Sequence, residues 1–464
     1  MASPPLSPTP DRASAPALLL LPSPPQPAIR ARLHAAYRSP LTDVLARLSR
    51  SRAPQVLVVA VASSVLVPIS TDASTPCSSI RWRSAQALLA EIYALIASIC
   101  ASHDIYPSLD SDKPGAVDAR VVLIHHDSRA ALEEPPSLYR RLSSPAASKS
   151  TTILDLATFA ATVRPWSTFF FTSSECGYRL LADYLAHAER RQRILQSQLV
   201  AVDSGMSLSS PGLRPRDASA PVNDPRARGE AQEQDKDDED AAIGGYNTVC
   251  LGGTFDHLHP GHKLLLQAAV MLLDVPRGGK DPCTIIIGIS NIELLAKKQY
   301  LEEMQSWNER ARSVIAFLAT QFNAPTTAAA PITSFTADND AGHGDAPTPE
   351  LRARFCDGAA LVRCVDIRDP FGPTISEEAI DAIVVSGETR EGGNAINSKR
   401  AARGWRPLDV FVIDVLDASL TDEDVDGSEH RQESTRSEAA NFAAKISSTE
   451  IRRRKAEGRA LKGF

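Results

Sequence analysis

The sequence predicts an α/β protein: a parallel sheet with helices on both faces, preceded by a smaller α/β domain and bordered by disordered segments. Three observations carry this. Short apolar runs bounded by turn residues alternate with helix-period segments through most of the chain. Residues 284–289, Thr-Ile-Ile-Ile-Gly-Ile, form a continuous β-branched run, the signature of a parallel strand buried on both faces. Proline-rich and acidic stretches then divide the chain into blocks.

Taken in order, residues 1–53 are rich in Pro, Ser, Ala and Arg, with Asp11 and Asp43 the only acids, and are expected to lack structure. This is the composition of a transit peptide, but Pro4, Pro5, Pro8 and Pro10 interrupt the amphipathic helix such a peptide needs, which favours the cytosol over the mitochondrion. Residues 54–199 read as an amino-terminal α/β domain, with strands at 56–61, 119–124 and 166–171 and helices at 80–101 and 177–198. Residues 200–245 read as an acidic linker, solvated by the like charges of 232–240. From residue 246 to 464 a second domain is expected, with insertions near 324–349 and 418–440 looping off its surface at modest entropic cost.

Composition excludes several classes. A formal net charge of −6 gives no basic footprint for nucleic acid. Seven cysteines without a CxxC pair read as reduced thiols. The apolar run 55–67 is too short and too interrupted to span a membrane, so no membrane is expected. His125 and His126 follow a strand, but adjacent side chains there point to opposite faces and make no constellation.

The chemistry concentrates where a strand at 247–251 meets an amphipathic helix at 261–273. Between them lies Gly253-Thr-Phe-Asp-His-Leu-His-Pro-Gly-His262. A helix N-terminus presents unpaired N–H groups and partial positive charge, and Gly252 and Gly253 let a ligand approach the backbone, so this joint suits a phosphate. His259 and His262 lie three apart and can face one anion. A zinc set of His257, His259 and His262 lacks a cysteine pair or an acidic fourth ligand, and no metal site is expected. Near the other end, Lys445-Ile-Ser-Ser-Thr-Glu-Ile-Arg452 opens a basic helix with hydroxyl residues, a second arrangement suited to a polyphosphate.

Together, His259-Pro-Gly-His262 after Gly-Thr-Phe-Asp and Ile-Ser-Ser-Thr-x-x-Arg resemble the HxGH and ISSTxxR signatures of the nucleotidyltransferase superfamily. That resemblance implies a Rossmann-like domain. Between the motifs stand Lys297 and Lys298 beyond a strand, a Glu-Arg element at Glu309-Arg310, Asp369-Pro-Phe-Gly-Pro373, and Ser386-Gly-Glu-Thr-Arg390. These resemble the eukaryotic and archaeal phosphopantetheine adenylyltransferases, over residues 246–457.

The resemblance implies transfer of the adenylyl group of ATP to 4′-phosphopantetheine, in coenzyme A biosynthesis, with Mg2+ accompanying ATP. Thr254, with Gly253, would hold the attacking phosphate. His262 would stabilise the α-phosphoryl group. His259 and Gly261 would support the ATP phosphates. Lys297 or Lys298 would bind phosphate, the spacing leaving both open. Ser447, Ser448 and Thr449 would receive the β- and γ-phosphates, with Arg452 behind them, and Glu388, Thr389 and Arg390 would line the nucleotide side. Other enzymes of coenzyme A biosynthesis are admitted as partners. No GxxxxGK[ST] loop occurs, so adenylyl transfer without a following kinase step is expected. The alternatives are a transferase for nicotinamide mononucleotide or a cytidylyl group, and a noncatalytic scaffold of the same fold.

Overall fold

The computed structural model describes residues 15–68, 78–109, 114–126, 151–162, 164–189, 191–205, 243, 245–276, 281–323, 332–337, 348–413 and 447–462. It contains two large sheets. In the first half the elements run β1 (Ala17–Leu21), α1 (Arg30–Leu48), β2 (Gln55–Ser63), the hairpin β3 (Leu66–Pro68) and β4 (Ser78–Ile80), α2 (Trp82–Ser102), and β5 (Val117–His125). They continue as β6 (Leu154–Asp155), α3 (Leu156–Ala161), β7 (Phe169–Thr172), α4 (Glu175–Ala188) and β8 (Leu199–Val202). Six strands pair in the order β6-β5-β2-β1-β7-β8, every pair parallel.

This corrects the expectation for residues 1–53. Ala17–Leu21 is the central strand of the first sheet, buried along its whole length, and Arg30–Leu48 is a helix. A strand covered on both faces needs only a short apolar run, and the Pro, Ser and Arg around Leu18 to Leu21 conceal that run when composition is averaged. The expected helix at 177–198 ends at Ala188, and Leu199–Val202 is an edge strand rather than the start of a linker. The acidic run 232–240 and the insertion at 418–440 lie outside the described residues.

The second half runs β9 (Thr248–Gly253), α5 (Pro260–Met271), β10 (Cys283–Ser290), α6 (Trp307–Gln321), β11 (Thr333–Ala337), β12 (Thr348–Phe355) and β13 (Ala360–Ile367). It closes with β14 (Ala382–Ser386), α7 (Arg390–Ala402), β15 (Asp409–Ile413) and α8 (Ser448–Lys462). Its strand order is β11-β12-β13-β10-β9-β14-β15. The five strands from β13 to β15 are parallel, and β11 and β12 add an antiparallel edge. Strand β11 falls inside the segment expected to loop out at 324–349. The alternating Thr333-Ser-Phe-Thr pairs with residues 349–352, a local strand signal hidden by the surrounding Ala, Thr and Pro.

Strand order reverses at β9, with β10 on one side and β14 on the other, so their carboxyl ends form the switch point at which open α/β sheets bind ligands. The two halves also share a core. One apolar cluster joins Leu19, Ile92 and Leu123 to Leu266, Ile287 and Val362. Helix α5, expected to be amphipathic, is buried on nearly every side from Pro260 to Met271. It packs on its own sheet and on α2 of the first half, so it has no solvated face to keep polar. Helix α2 is long and apolar enough to cross a membrane by length and composition, but its apolar residues from Trp82 to Cys100 are buried in this shared core. Each fully buried aliphatic side chain contributes about 1.5–3 kcal/mol, against about 0–1 for an exposed ion pair, so the seam between halves is held mainly by apolar packing.

Candidate active site

Strand β9 ends in Gly252 and Gly253. Gly252 is exposed, and a Cβ added there would meet only the Gly288 carbonyl oxygen at 3.9 Å, which leaves open space above the backbone. At Gly253 an added Cβ would press on the Phe255 ring at 3.0 Å. The chain then turns through two left-handed residues, Phe255 (φ 50°) and His257 (φ 45°). Non-glycine residues adopt this conformation at a cost and need support from their surroundings. Residues 303–305 supply it. The His257 N–H donates to Gln305 Oε1 at 2.6 Å, the Gln305 N–H donates to Asp256 Oδ1 at 3.0 Å, and His257 Nε2 lies 3.0 Å from the Glu303 carbonyl oxygen. His257 is a buried strut of the turn, and no three His, Cys, Asp or Glu side chains gather into a group that could hold a metal ion among the described residues.

His259 is the N-cap of α5, Pro260 and Gly261 form its first turn, and His262 follows. The two imidazoles stack with centroids 3.9 Å apart, and the Phe255 ring lies 5.4 Å from that of His262. Both rings are half-buried. Burial, with the charges of Lys263 and His257 beside it, pulls His259 down to about 3, and burial with the neighbouring imidazoles His259 and His257 also pulls His262 well below its ordinary value. Both are therefore neutral near pH 7. His262 Nδ1 is buried and has no hydrogen-bond partner among the described residues.

Helix α8 closes the site. Ser447 caps it, accepting from the Glu450 N–H at 3.3 Å, and Ser448 Oγ donates to the Asp256 carbonyl oxygen at 2.9 Å. Arg452 is buried, and every guanidinium nitrogen is engaged: Nη1 with Asp256 Oδ2 at 2.5 Å, Nε with the Gln299 carbonyl oxygen at 3.0 Å, Nη2 with Thr449 Oγ1 at 3.2 Å. So the two motifs meet, and Arg452 braces the turn between β9 and α5. Thr254 is half-buried, its carbonyl held by Arg310 Nη1 at 2.7 Å.

Lys297 and Lys298 are both exposed beyond β10 and make no side-chain hydrogen bond or ion pair among the described residues. Glu388, Thr389 and Arg390 are exposed at the carboxyl end of β14, next to β9, with Thr389 Oγ1 3.0 Å from Ser386 Oγ. The Asp-Pro-Phe-Gly-Pro turn is folded by Asp369, whose Oδ1 accepts from the Phe371 and Gly372 N–H groups at 2.8 and 3.0 Å.

Sequence reasoning missed Arg310 and Asp256 as supports. Arg310 is 1% exposed and also donates to the carbonyl oxygens of Ser290 at 3.0 Å and Gln305 at 3.2 Å, tying the ends of β9 and β10 together. Its signal was the Glu-Arg element, which marks the family without by itself assigning a role to either side chain. Asp366, at the end of β13, is buried beside Asn291, which donates to it at 2.7 Å.

A glycine-opened strand end, paired neutral imidazoles at a helix N-terminus and a second hydroxyl-rich helix N-terminus, all at a sheet switch point, define an α/β nucleotidyltransferase domain. Comparison with known proteins agrees. Residues 250–454 match the cytidylyltransferase-like family, and residues 1–208 match a domain of unknown function, DUF8446. An uncharacterized protein of Schizosaccharomyces pombe is 31% identical over 169 residues, 36% of this chain and 39% of that protein. The phosphopantetheine adenylyltransferase of Saccharomyces cerevisiae is 30% identical over 208 residues, 45% of this chain and 48% of that enzyme. That of Methanothermobacter thermautotrophicus is 30% identical over 173 residues, 37% of this chain and 76% of the archaeal enzyme. The chain thus spans half or less of the two yeast proteins it matches and most of the archaeal one. It belongs to the phosphopantetheine adenylyltransferase family of nucleotidyltransferases.

Proposed function

We propose that the protein transfers the adenylyl group of ATP to 4′-phosphopantetheine, releasing pyrophosphate and giving dephospho-coenzyme A. The observation that carries this reading is the stacked His259–His262 pair at the α5 N-terminus, faced by the α8 N-terminus, beside the open backbone of Gly252. The choice of acceptor follows the relatives, which bear that enzyme's name.

In the proposed step an oxygen of the acceptor phosphate attacks the α-phosphorus, the bond from that phosphorus to the β-bridging oxygen breaks, and pyrophosphate leaves. No covalent nucleophile on the protein is needed, only alignment and charge stabilisation. Thr254 and Gly253 hold the acceptor phosphate. His262, neutral, donates a ring N–H to the crowded α-phosphoryl oxygens. His259 and the N–H group of Gly261, in the first turn of α5, support the ATP phosphates. Lys297 and Lys298 have the free ammonium groups to reach phosphates, and Glu388, Thr389 and Arg390 border the nucleotide. Ser447, Ser448 and Thr449 contribute through the N–H groups of the α8 terminus, while Arg452 holds that terminus in place. Mg2+ would accompany ATP, drawing its oxygens largely from the substrate phosphates and water, and would supply charge neutralisation on the pyrophosphate side while the residues keep these roles.

The test is pyrophosphate release by the purified protein and its His262→Ala variant, with ATP, Mg2+ and 4′-phosphopantetheine, nicotinamide mononucleotide or no acceptor. Turnover only with 4′-phosphopantetheine, lost by about a hundredfold or more in the variant, is the expected result. Turnover with the mononucleotide would overturn the acceptor, and no turnover would overturn the enzyme reading.

A further inference from the structure

Lys263 directly follows His262 in α5, yet it is 2% exposed. A lysine is almost never buried unless paired. Its partner is not in its own domain. Nζ donates to Asp118 Oδ1 and, at 3.0 Å, to the Ala119 carbonyl oxygen, both on β5 of the first sheet. Asp118 Oδ2 also accepts from Arg120, from Nε at 2.8 Å and Nη2 at 2.7 Å. Burial alone would raise this carboxyl, but the charges of Arg120 and Lys263 hold it below its ordinary value, so the carboxylate form is favoured.

The contact extends in both directions. Arg120 Nη1 donates to the Ala316 carbonyl oxygen and to Thr320 Oγ1, each at 2.8 Å, on α6. Tyr93 on α2 accepts from the Val121 N–H and donates to Gln267 Oε1 on α5, both at 3.2 Å. Gln321 Nε2 on α6 donates to the Val121 carbonyl oxygen at 3.0 Å. Tyr106 OH donates to the Ile451 carbonyl oxygen on α8 at 3.4 Å, next to Arg452. The first half of the chain therefore holds both helices whose N-termini form the candidate site.

We propose that the amino-terminal domain is a positioning module for adenylyl transfer, and that Asp118 is its positioning residue, fixing the rotation of α5 through Lys263 so that His262 meets the α-phosphate. This rests on the function proposed above. The lever is geometric. Successive helix residues are about 100° apart, so anchoring Lys263 on the side of β5 sets the direction of His262. A turn of the helix by about 10° would carry a side-chain tip about 6 Å from the axis through about 1 Å. A displacement of about 1 Å is enough to cost about a hundredfold in rate. A buried salt bridge between a strand and a helix is also poor at adding stability, since desolvation offsets most of its attraction, whereas it specifies one relative placement well.

The experiment uses the full-length protein with Asp118→Asn, Lys263→Met, the double variant and Tyr93→Phe, measuring kcat and KM separately with circular dichroism to confirm folding. Asp118→Asn and Lys263→Met are each expected to lower kcat by about tenfold or more, with KM for both substrates within about threefold of the parent. The double variant is expected to lose no more than the worse single one, as two ends of one contact should. Wild-type kcat in folded Asp118→Asn, or losses that simply multiply, would overturn the proposal. Where the charged variants do not fold, Tyr93→Phe decides: a lower kcat at unchanged KM supports the positioning role, and unchanged kcat refutes it. Should the wild-type protein turn over no acceptor, the function above falls, and the placement is read from the ring-proton resonance of His262, assigned by its loss in His262→Ala. Its movement in the folded Asp118→Asn or Tyr93→Phe variant supports the positioning role, and a fixed resonance refutes it.

Discussion

Arg452 and Asp256, 196 residues apart in sequence, form an ion pair at 2.5 Å in which neither side chain is more than 2% exposed. The pair fastens the last helix to the turn between β9 and α5, so the N-termini of α5 and α8 keep a fixed separation. Such a pair adds little net stability when intact, because removing both charges from water is costly, but losing one partner strands the other. Asp256→Asn is therefore expected to destabilise the protein by about 3–5 kcal/mol. Urea unfolding checks it, and a loss below about 1 kcal/mol would mean that water reaches Arg452.

The paired imidazoles predict a proton-linked nucleotide affinity. His259 stands at about 3 and His262 well below its ordinary value in the folded protein, against about 6.5 in an unfolded chain. Between those values the unfolded chain binds more protons, so these groups make stability rise with pH; their contribution is lost as pH falls from about 6.5 toward 3 and is flat above 6.5. A bound polyphosphate has the opposite influence, favouring the imidazolium. ATP binding is expected to take up protons increasingly as pH drops from 7 to 5, seen as a calorimetric enthalpy that varies with the buffer. Equal enthalpies across buffers at pH 5.5 would place the phosphates away from both rings.

Much of this site was legible because its signals are local. Gly252 and Gly253, the histidines and the helix after them lie within a few turns of one another, and Thr284 to Ile289 reads as a buried strand from its side chains alone. The supports were not legible, because they are long-range pairs. Nothing near Lys263 announces Asp118, and nothing near Arg452 announces Asp256. One clue was present and read too narrowly: Leu264-Leu-Leu-Gln-Ala-Ala-Val-Met-Leu-Leu273 has too few polar positions for a helix with one wet face, which is the mark of burial on two sides. The central strand at Leu18 to Leu21 was lost to averaging, since five residues weigh little against the prolines around them.

Gly252 separates function from folding. It is exposed and not in the left-handed region, and an added methyl meets nothing nearer than 3.9 Å. Gly252→Ala should thus fold as well as the parent or slightly better, since alanine restricts the unfolded chain more than glycine does. A ligand phosphate resting on that backbone would meet the new methyl directly. KM for at least one substrate should rise by about tenfold, the scale of about 1.4 kcal/mol, while the melting temperature holds. Unchanged KM values would remove Gly252 from the binding surface.

Arg310 offers the complementary case, a buried residue whose guanidinium is engaged by backbone carbonyl oxygens. Its guanidinium reaches three carbonyl oxygens, those of Thr254, Ser290 and Gln305, at 2.7–3.2 Å, and so joins two strand ends to the segment that supports the left-handed turn. A lysine in its place carries the same charge but is a single point donor and cannot span all three. Carbonyls left unpaired in the interior cost about 1–3 kcal/mol each, so Arg310→Lys should destabilise by about 2–4 kcal/mol. Because one released carbonyl belongs to Thr254, KM for the acceptor should rise more than KM for ATP. Urea unfolding and separate substrate titrations measure the two effects, and equal changes in both KM values would show that Arg310 supports the whole site instead of the acceptor side.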